Sequence, residues 1–350
     1  MKIAIDLSPL ESGHKVRGVG FYLTHLKDAL AKYFPENDYS FFTTNAPTGD
    51  VDIIHYPYFD PFFSQPRYKG KIPTVVTVHD LTPIKFSAYF PAGITGKIRW
   101  ELNRRALAGC SAIITDSNSS TNDARRYIPI SPEKVSTVYL AAGEEFKQVK
   151  LLSDNQREIL MRYLLPEKFA LYVGDVTWNK NLPRLLNAAV RAGIPLILVG
   201  KSIAESDFDR DSPWNTDRIE VQNLVEKSEL LRSLGFVSTD DLVSLYNLAT
   251  VFTMPSLYEG FGLPVIEAMQ SGCPVVASEE GSLGEVVGGA ALSVDAYSEG
   301  SIMQGLKKVF NSEKIQEELT KKGLHRARDF SWKKTAFDTL EVYKKVALNR

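Results

Sequence analysis

Two glutamates eight positions apart, Glu259 and Glu267, lie within the segment Ser256-Leu-Tyr-Glu-Gly-Phe-Gly-Leu-Pro-Val-Ile-Glu-Ala-Met-Gln-Ser-Gly-Cys-Pro-Val-Val-Ala277. Two carboxylates in one place can share acid–base work. The residues between them decide which way they face. Pro264 suits the first turn of a helix, where its missing N–H costs nothing. Gly272 suits the C′ position that ends that helix, and Pro274–Ser278 reads as the buried strand that follows. This spacing predicts Glu259 on a loop and Glu267 in the first turn of a helix over 265–271. Both then lie beside a helix N-terminus, which favours anions. Further on, Ser282-x-x-Glu285 reads as a capping box that opens the next helix.

The elements that must hold these residues follow an alternating pattern along the whole chain. Short apolar runs over 2–7, 52–55, 74–79, 111–115 and 135–139 read as strands, separated by helical patterns such as 21–33, 94–107 and 119–127. The pattern restarts with strands at 169–174, 195–200, 251–255 and 275–277 and helices at 182–191 and 242–249. Such alternation implies α/β architecture with parallel sheets. A length of 350 residues suggests about two domains. The break is expected in the polar stretch 143–157, which gives two Rossmann-like doubly wound domains facing a cleft, divided at about residue 150. Ligands of such sheets bind outside the C-terminal ends of the strands.

Composition narrows the function further. With 41 basic and 42 acidic residues the formal charge is −1, which argues against a dedicated nucleic-acid binder. Cys110 and Cys273 are too few for a disulfide framework or a structural zinc site, so a reducing, cytoplasmic setting is expected. Met1-Lys-Ile-Ala-Ile-Asp6 reads as a short strand and not a signal peptide. No apolar run approaches the roughly 18 residues of a membrane span.

Other residues stand at positions where chemistry is done. Lys180, in Val173-Gly-Asp-Val-Thr-Trp-Asn-Lys-Asn-Leu182, falls between a strand and a helix, with Arg184 one turn further on. Gly18-Val19-Gly20, preceded by Arg17, allows close backbone approach to an oxyanion. As a dinucleotide fingerprint it is incomplete, because Leu23 stands where the third glycine would be. His79, in Val-Thr-Val-His-Asp-Leu-Thr-Pro83, ends a strand; His55 does the same and reads as structural. Asp207-Phe-Asp209 has the form of a metal motif, but its polar surroundings read as an exposed acidic loop, so no metal is expected. Lys85, Lys97, Arg99, Arg104 and Arg105 cluster with Phe86, Tyr89, Phe90 and Trp100. That cluster is either an amphipathic surface helix or a face for a membrane-bound acceptor.

The Glu259–Glu267 block resembles the Glu-x7-Glu signature of the family 4 retaining glycosyltransferases, which have the GT-B fold. The segments around Gly18–Gly20, His79, Lys180 and Phe236-Val237 resemble corresponding family segments. The resemblance covers nearly the whole chain and is strongest over 234–292. It implies transfer of a hexose from a nucleotide-diphosphate sugar to a glycan or lipid-linked acceptor. It looks closest to bacterial mannosyl- or rhamnosyl-type enzymes of surface-polysaccharide, including lipopolysaccharide, synthesis. By the same resemblance Glu259 contacts the donor sugar, Glu267 the ribose, Lys180 the phosphates and His79 the reaction centre. Gly18, Val19, Gly20 and the backbone of Gly260, Phe261, Gly262 and Leu263 approach the diphosphate or sugar, and Phe236 and Val237 read the base. The last helix (333–350) is expected to return to the first domain. Front-face attack without a metal or cofactor is implied, and the 85–105 region is a candidate for peripheral contact with the inner membrane. The same architecture also serves nucleotide-sugar epimerases, phosphorylases and non-catalytic sugar-nucleotide binders.

Overall fold

A computed structural model describes residues 1–11, 18–44, 47, 49–63, 68, 70–149 and 153–348, with 153–155 as backbone only. The chain divides into two compact units, Met1–Ala141 with Phe330–Arg350, and Ala142–Asp329. The junction thus precedes the polar stretch 143–157.

The first unit holds a sheet of six strands: β1 (Lys2–Asp6), β2 (Asp38–Phe42), β3 (Ile53–Tyr56), β4 (Thr74–Thr77), β5 (Ala112–Thr115) and β6 (Val135–Thr137). Their order is β2-β1-β3-β4-β5-β6, and all neighbours are parallel. β3, β4 and β5 are buried along their whole length, as near-continuous apolar strands covered on both faces must be. The final helix, Trp332–Leu348, packs on the helix Gly18–Tyr33 of this unit. Its Tyr343 hydroxyl lies 2.6 Å from His55 Nδ1, and His55 Nε2 lies 2.8 Å from Thr77 Oγ1. Burial drives the His55 imidazole down to about 3, so it is a neutral core residue.

The second unit repeats the plan with β7 (Ala170–Val173), β8 (Leu196–Val199), β9 (Leu231–Gly235), β10 (Val251–Met254), β11 (Val275–Ala277) and β12 (Leu292–Ser293). The order β12-β11-β10-β7-β8-β9 is again wholly parallel. Counted within the unit, this is the doubly wound order in which the chain reverses direction across the sheet between its first and fourth strands. Its core is aliphatic, with Leu182, Leu185, Leu186, Leu196, Leu198 and Ile302 fully buried.

Three strands are absent from the sequence reading: β2, β9 and β12. Each lies at a sheet edge. Edge strands need only one neighbour and tolerate polar residues, so Asp-Tyr-Ser-Phe-Phe and Leu-Arg-Ser-Leu-Gly carry no continuous apolar run.

Candidate active site

The second sheet reverses between β7 and β10, and the loops that follow those two strands carry Lys180 and Glu259. After β7 the chain forms a single 3-10 turn, Trp178–Lys180, and then the helix Leu182–Ala192. Asn181 between them takes a left-handed φ of 61°, which turns the chain sharply and leaves Lys180 at the turn. After β10 the loop carries Glu259 to the helix Leu263–Gln270. Lys180 Nζ lies 2.8 and 2.7 Å from the two carboxylate oxygens of Glu259. Ser256 Oγ donates to Oε1 of the same carboxylate at 2.7 Å. The Glu259 side chain is only 7% exposed and that of Lys180 22%, so water screens this pair weakly.

The two loops are stitched together around the pair. Asn179 donates to the Tyr258 carbonyl at 2.9 Å and accepts through its own carbonyl from Leu257 N at 2.7 Å. Asn181 donates to the carbonyls of Pro255 at 2.8 Å and Ala296 at 2.7 Å. Ser278 Oγ donates to the Ser256 carbonyl at 2.6 Å. Ser282 Oγ reaches the carbonyls of Glu259 and Phe261 at 3.0 and 2.9 Å. Gly281 has φ 64°, and a Cβ there would stand 2.7 Å from the backbone of Glu259, so only glycine lets this chain pass. Asn179, Asn181, Ser256, Ser278 and Ser282 thus position the pair, and the sequence reading did not single them out as site residues. The available signal was their type: buried Asn and Ser beside strand ends need backbone partners.

Several expectations change here. Ser282 does not form a capping box; its hydroxyl holds the Glu259 loop instead, and the helix Leu283–Val287 has no side-chain cap. Glu267 is the fifth residue of Leu263–Gln270 and therefore lies past the first turn, because Leu263 and not Val265 opens the helix. It is buried and accepts from the Tyr246 hydroxyl at 2.9 Å. Burial lifts its carboxyl to about 7, against the Tyr246 hydrogen bond and with help from the nearby Glu145. Arg184 turns its guanidinium onto the Asn181 side chain, inside its own helix start. Gly262 caps Leu263–Gln270 with φ 97°, and Pro264 contributes no N–H.

Other candidates fall into place one by one. Phe236 is 69% exposed and Val237 buried, just past β9 at the edge of the sheet. Asp209 accepts from Asp211 N in a local turn, and among the described residues no three His, Cys, Asp or Glu side chains converge as metal ligands would. In the first unit, Gly18, Val19 and Gly20 form the first turn of the helix Gly18–Tyr33 and not a free loop; Arg17 lies outside the described residues. His79 follows β4, with Nδ1 2.7 Å from Asp116 Oδ2. Burial works against charge on this ring, but Asp116, Asp80 and the Pro57 carbonyl outweigh it and raise its pKa above the ordinary value.

The basic cluster splits. Lys85 pairs with Asp123 at 3.0 Å, Phe90 is buried, and Arg104 and Arg105 both pair with Glu101. Outward on the helix Gly93–Ala108, beside the exposed Lys97 and Arg99, is a row of Ile94, Ile98 and Leu102, which are 81, 57 and 59% exposed. No described helix is long and apolar enough to cross a membrane.

Two Rossmann-like parallel sheets are the architecture of the GT-B glycosyltransferases. Family models agree over both units: residues 16–142 match glycosyltransferase family 4, and residues 156–326 match glycosyl transferases group 1. Over 303 residues the chain is 31% identical to O-antigen chain mannosyltransferase B of Escherichia coli, covering 84% of this chain and 75% of that protein. It is 29% identical over 281 residues to the serotype-specific mannosyltransferase WbdA of Escherichia coli, covering 77% of this chain but only 33% of that longer protein. Sucrose-phosphate synthase from Thermosynechococcus elongatus has the same fold, with a TM-score of 0.75 over the full length of both chains at 19% identity. The chain belongs to glycosyltransferase family 4 and is a glycosyltransferase.

Proposed function

We propose that the protein is a retaining, metal-independent mannosyl-type transferase that moves a hexose from a nucleotide-diphosphate sugar to a hydroxyl of a glycan or lipid-linked acceptor. The observation that carries this reading is the Lys180–Glu259 pair at the reversal point of the second sheet. Departure of a diphosphate builds negative charge while the anomeric carbon becomes cationic. A fixed cation beside a fixed carboxylate serves both ends of that charge separation. Lys180 supports the diphosphate, and the N-terminus of Leu263–Gln270 adds its dipole. Glu259 orients the sugar through its hydroxyls and stabilises positive charge without forming a covalent bond. Glu267 holds the ribose, and the leaving phosphate takes the proton of the acceptor as it attacks from the same face.

In the free protein the two key groups are bound to each other. The donor therefore exchanges one ion pair for two new sets of contacts, phosphate on Lys180 and sugar hydroxyls on Glu259. Preorganisation is retained, because the backbone stitches around the pair do not involve either charged side chain. The mannosyltransferase names of two relatives support the choice of sugar.

A thermal-shift panel of GDP, UDP, ADP and dTDP sugars, with and without magnesium, tests donor and metal together, since a ligand of the native state raises its apparent stability. NMR of the product formed from an α-linked donor then reads the anomer. An α-product formed in EDTA is the expected result; a β-product, or transfer that stops without metal, would end this reading. The row Ile94, Ile98 and Leu102, spaced one turn apart beside Lys97 and Arg99, suits shallow insertion into an anionic lipid surface. Sedimentation with anionic vesicles should therefore be lost in Ile98→Glu/Leu102→Glu, and unchanged binding would remove the membrane from the account.

A further inference from the structure

His55 lies near the end of β3 and His79 just beyond the neighbouring β4, and their surroundings differ. Both nitrogens of His55 are occupied, by Tyr343 and by Thr77. His79 is held differently: Nδ1 meets Asp116, while among the described residues the buried Nε2 makes no side-chain hydrogen bond and the Pro57 carbonyl is the one backbone group that acts on the ring. A purely structural histidine is expected to satisfy both, because an unmade buried hydrogen bond costs about 1–3 kcal/mol.

The grip on His79 comes from a single junction. Asp116 directly follows β5 and is buried. The next residue, Ser117, caps the helix Asn118–Tyr127 by accepting from Ser120 N. Ser120 in turn donates its hydroxyl to the His79 carbonyl at 2.9 Å. Ring and backbone of His79 are therefore fixed by residues four positions apart. Tyr22 packs edge-on against the ring with centroids 4.8 Å apart, and Tyr58 lies at 6.5 Å. The charged and titratable groups facing the ring are Asp116, Asp80, His55, Tyr22 and Tyr58. Asp80 already caps Thr82 N at 2.8 Å, which leaves Asp116 as the partner that orients the imidazole.

We propose that Asp116 is the positioning residue of the transfer reaction, holding His79 with Nδ1 protonated and in one orientation so that Nε2 is presented to the reacting sugar. The proposal rests on the sugar-transfer reading above. A carboxylate on one imidazole nitrogen decides what the other can do, because the two are chemically coupled through the ring. Ser120 acts with Asp116 by fixing the backbone from which the ring projects.

The test compares full-length Asp116→Asn, Ser120→Ala and wild type by kinetics and by 15N NMR of the histidine rings, with His79→Gln identifying the His79 signals. In Asp116→Asn we expect kcat to fall at least about tenfold. Affinity for a nucleoside diphosphate alone should stay within about twofold, since its cation is in the other unit. The His79 ring should titrate at lower pH than in wild type because the adjacent carboxylate is gone, and a loss confined to kcat with nucleotide affinity kept is what a merely structural role would not give. Ser120→Ala should lower kcat and leave that titration in place, and it keeps the question open to measurement if Asp116→Asn does not fold. Unchanged kcat in both variants, or a kcat loss with an unmoved His79 titration in Asp116→Asn, would overturn the proposal. A wild type that transfers no sugar would instead overturn the reaction reading, while the titration still decides whether Asp116 controls the ring.

Discussion

The two units share a plan and differ in how their strand ends are finished. Both are six-stranded parallel sheets. In the second, the reversal between β7 and β10 carries Lys180 and Glu259, and two asparagines and three serines tie the flanking loops together. In the first, the reversal lies between β1 and β3, and the paired titratable residue, His79, follows β4 one strand further along. It is held by one carboxylate and one hydroxyl. The same topology therefore makes two kinds of site. In the second unit a cation and a carboxylate are fixed by many backbone bonds around them. In the first, one short junction holds a single ring.

That contrast can be broken experimentally, most severely at Glu259. Glu259→Ala should lower transfer by about a thousandfold while the protein remains folded, because in the proposed function the carboxylate acts on charge that develops during reaction. Wild-type turnover in that variant would remove Glu259 from the chemistry. Next in size, Lys180→Met leaves a buried carboxylate uncompensated and should destabilise the second unit by on the order of 3 kcal/mol. Lys180→Met/Glu259→Gln should recover most of that loss in denaturant titrations. Equal destabilisation of the single and double variants would show that the pair is not the source.

Glu267 tests burial and not pairing. Its carboxyl is raised to about 7 in the fold from 4.5, so the folded state keeps a proton that the unfolded chain releases. Its contribution to stability is therefore greatest in acid and declines as pH rises from about 4.5 through 7. Glu267→Gln removes that decline, by at most about 3 kcal/mol at pH 8, and differs little from wild type below pH 4.5. A pH-independent difference would contradict the burial. The smallest effect expected is at the stitches: Asn181→Ala should cost about 2 kcal/mol through two lost buried hydrogen bonds. The exposed Asn118→Ala of the first unit should cost less than about 0.5 kcal/mol. If Asn118→Ala cost as much as Asn181→Ala, the second unit would not be the more tightly built.

How much of this was legible beforehand depended on burial. Central strands such as Ile53–Tyr56 and Thr74–Thr77 announce themselves because parallel strands covered on both faces are apolar throughout. β2, β9 and β12 stayed hidden because an edge strand is defined by its neighbour. Lys180, Glu259 and His79 were legible as residues at strand ends. Their partners were not: Lys180 and Glu259 are 79 positions apart and touch, and His79 meets an aspartate 37 positions away.

By itself, then, the sequence determined the α/β plan, the restart of the pattern in the second half and the candidate residues at the strand ends, because periodicity and turn chemistry are local. Only the tertiary structure decided that Lys180 and Glu259 form one unit of charge, that Ser282 clamps a loop and does not cap a helix, and that Asp116 meets His79. Each of those depends on which strand lies beside which. Strand order is set by the burial of whole sheets, and no short window of residues contains it.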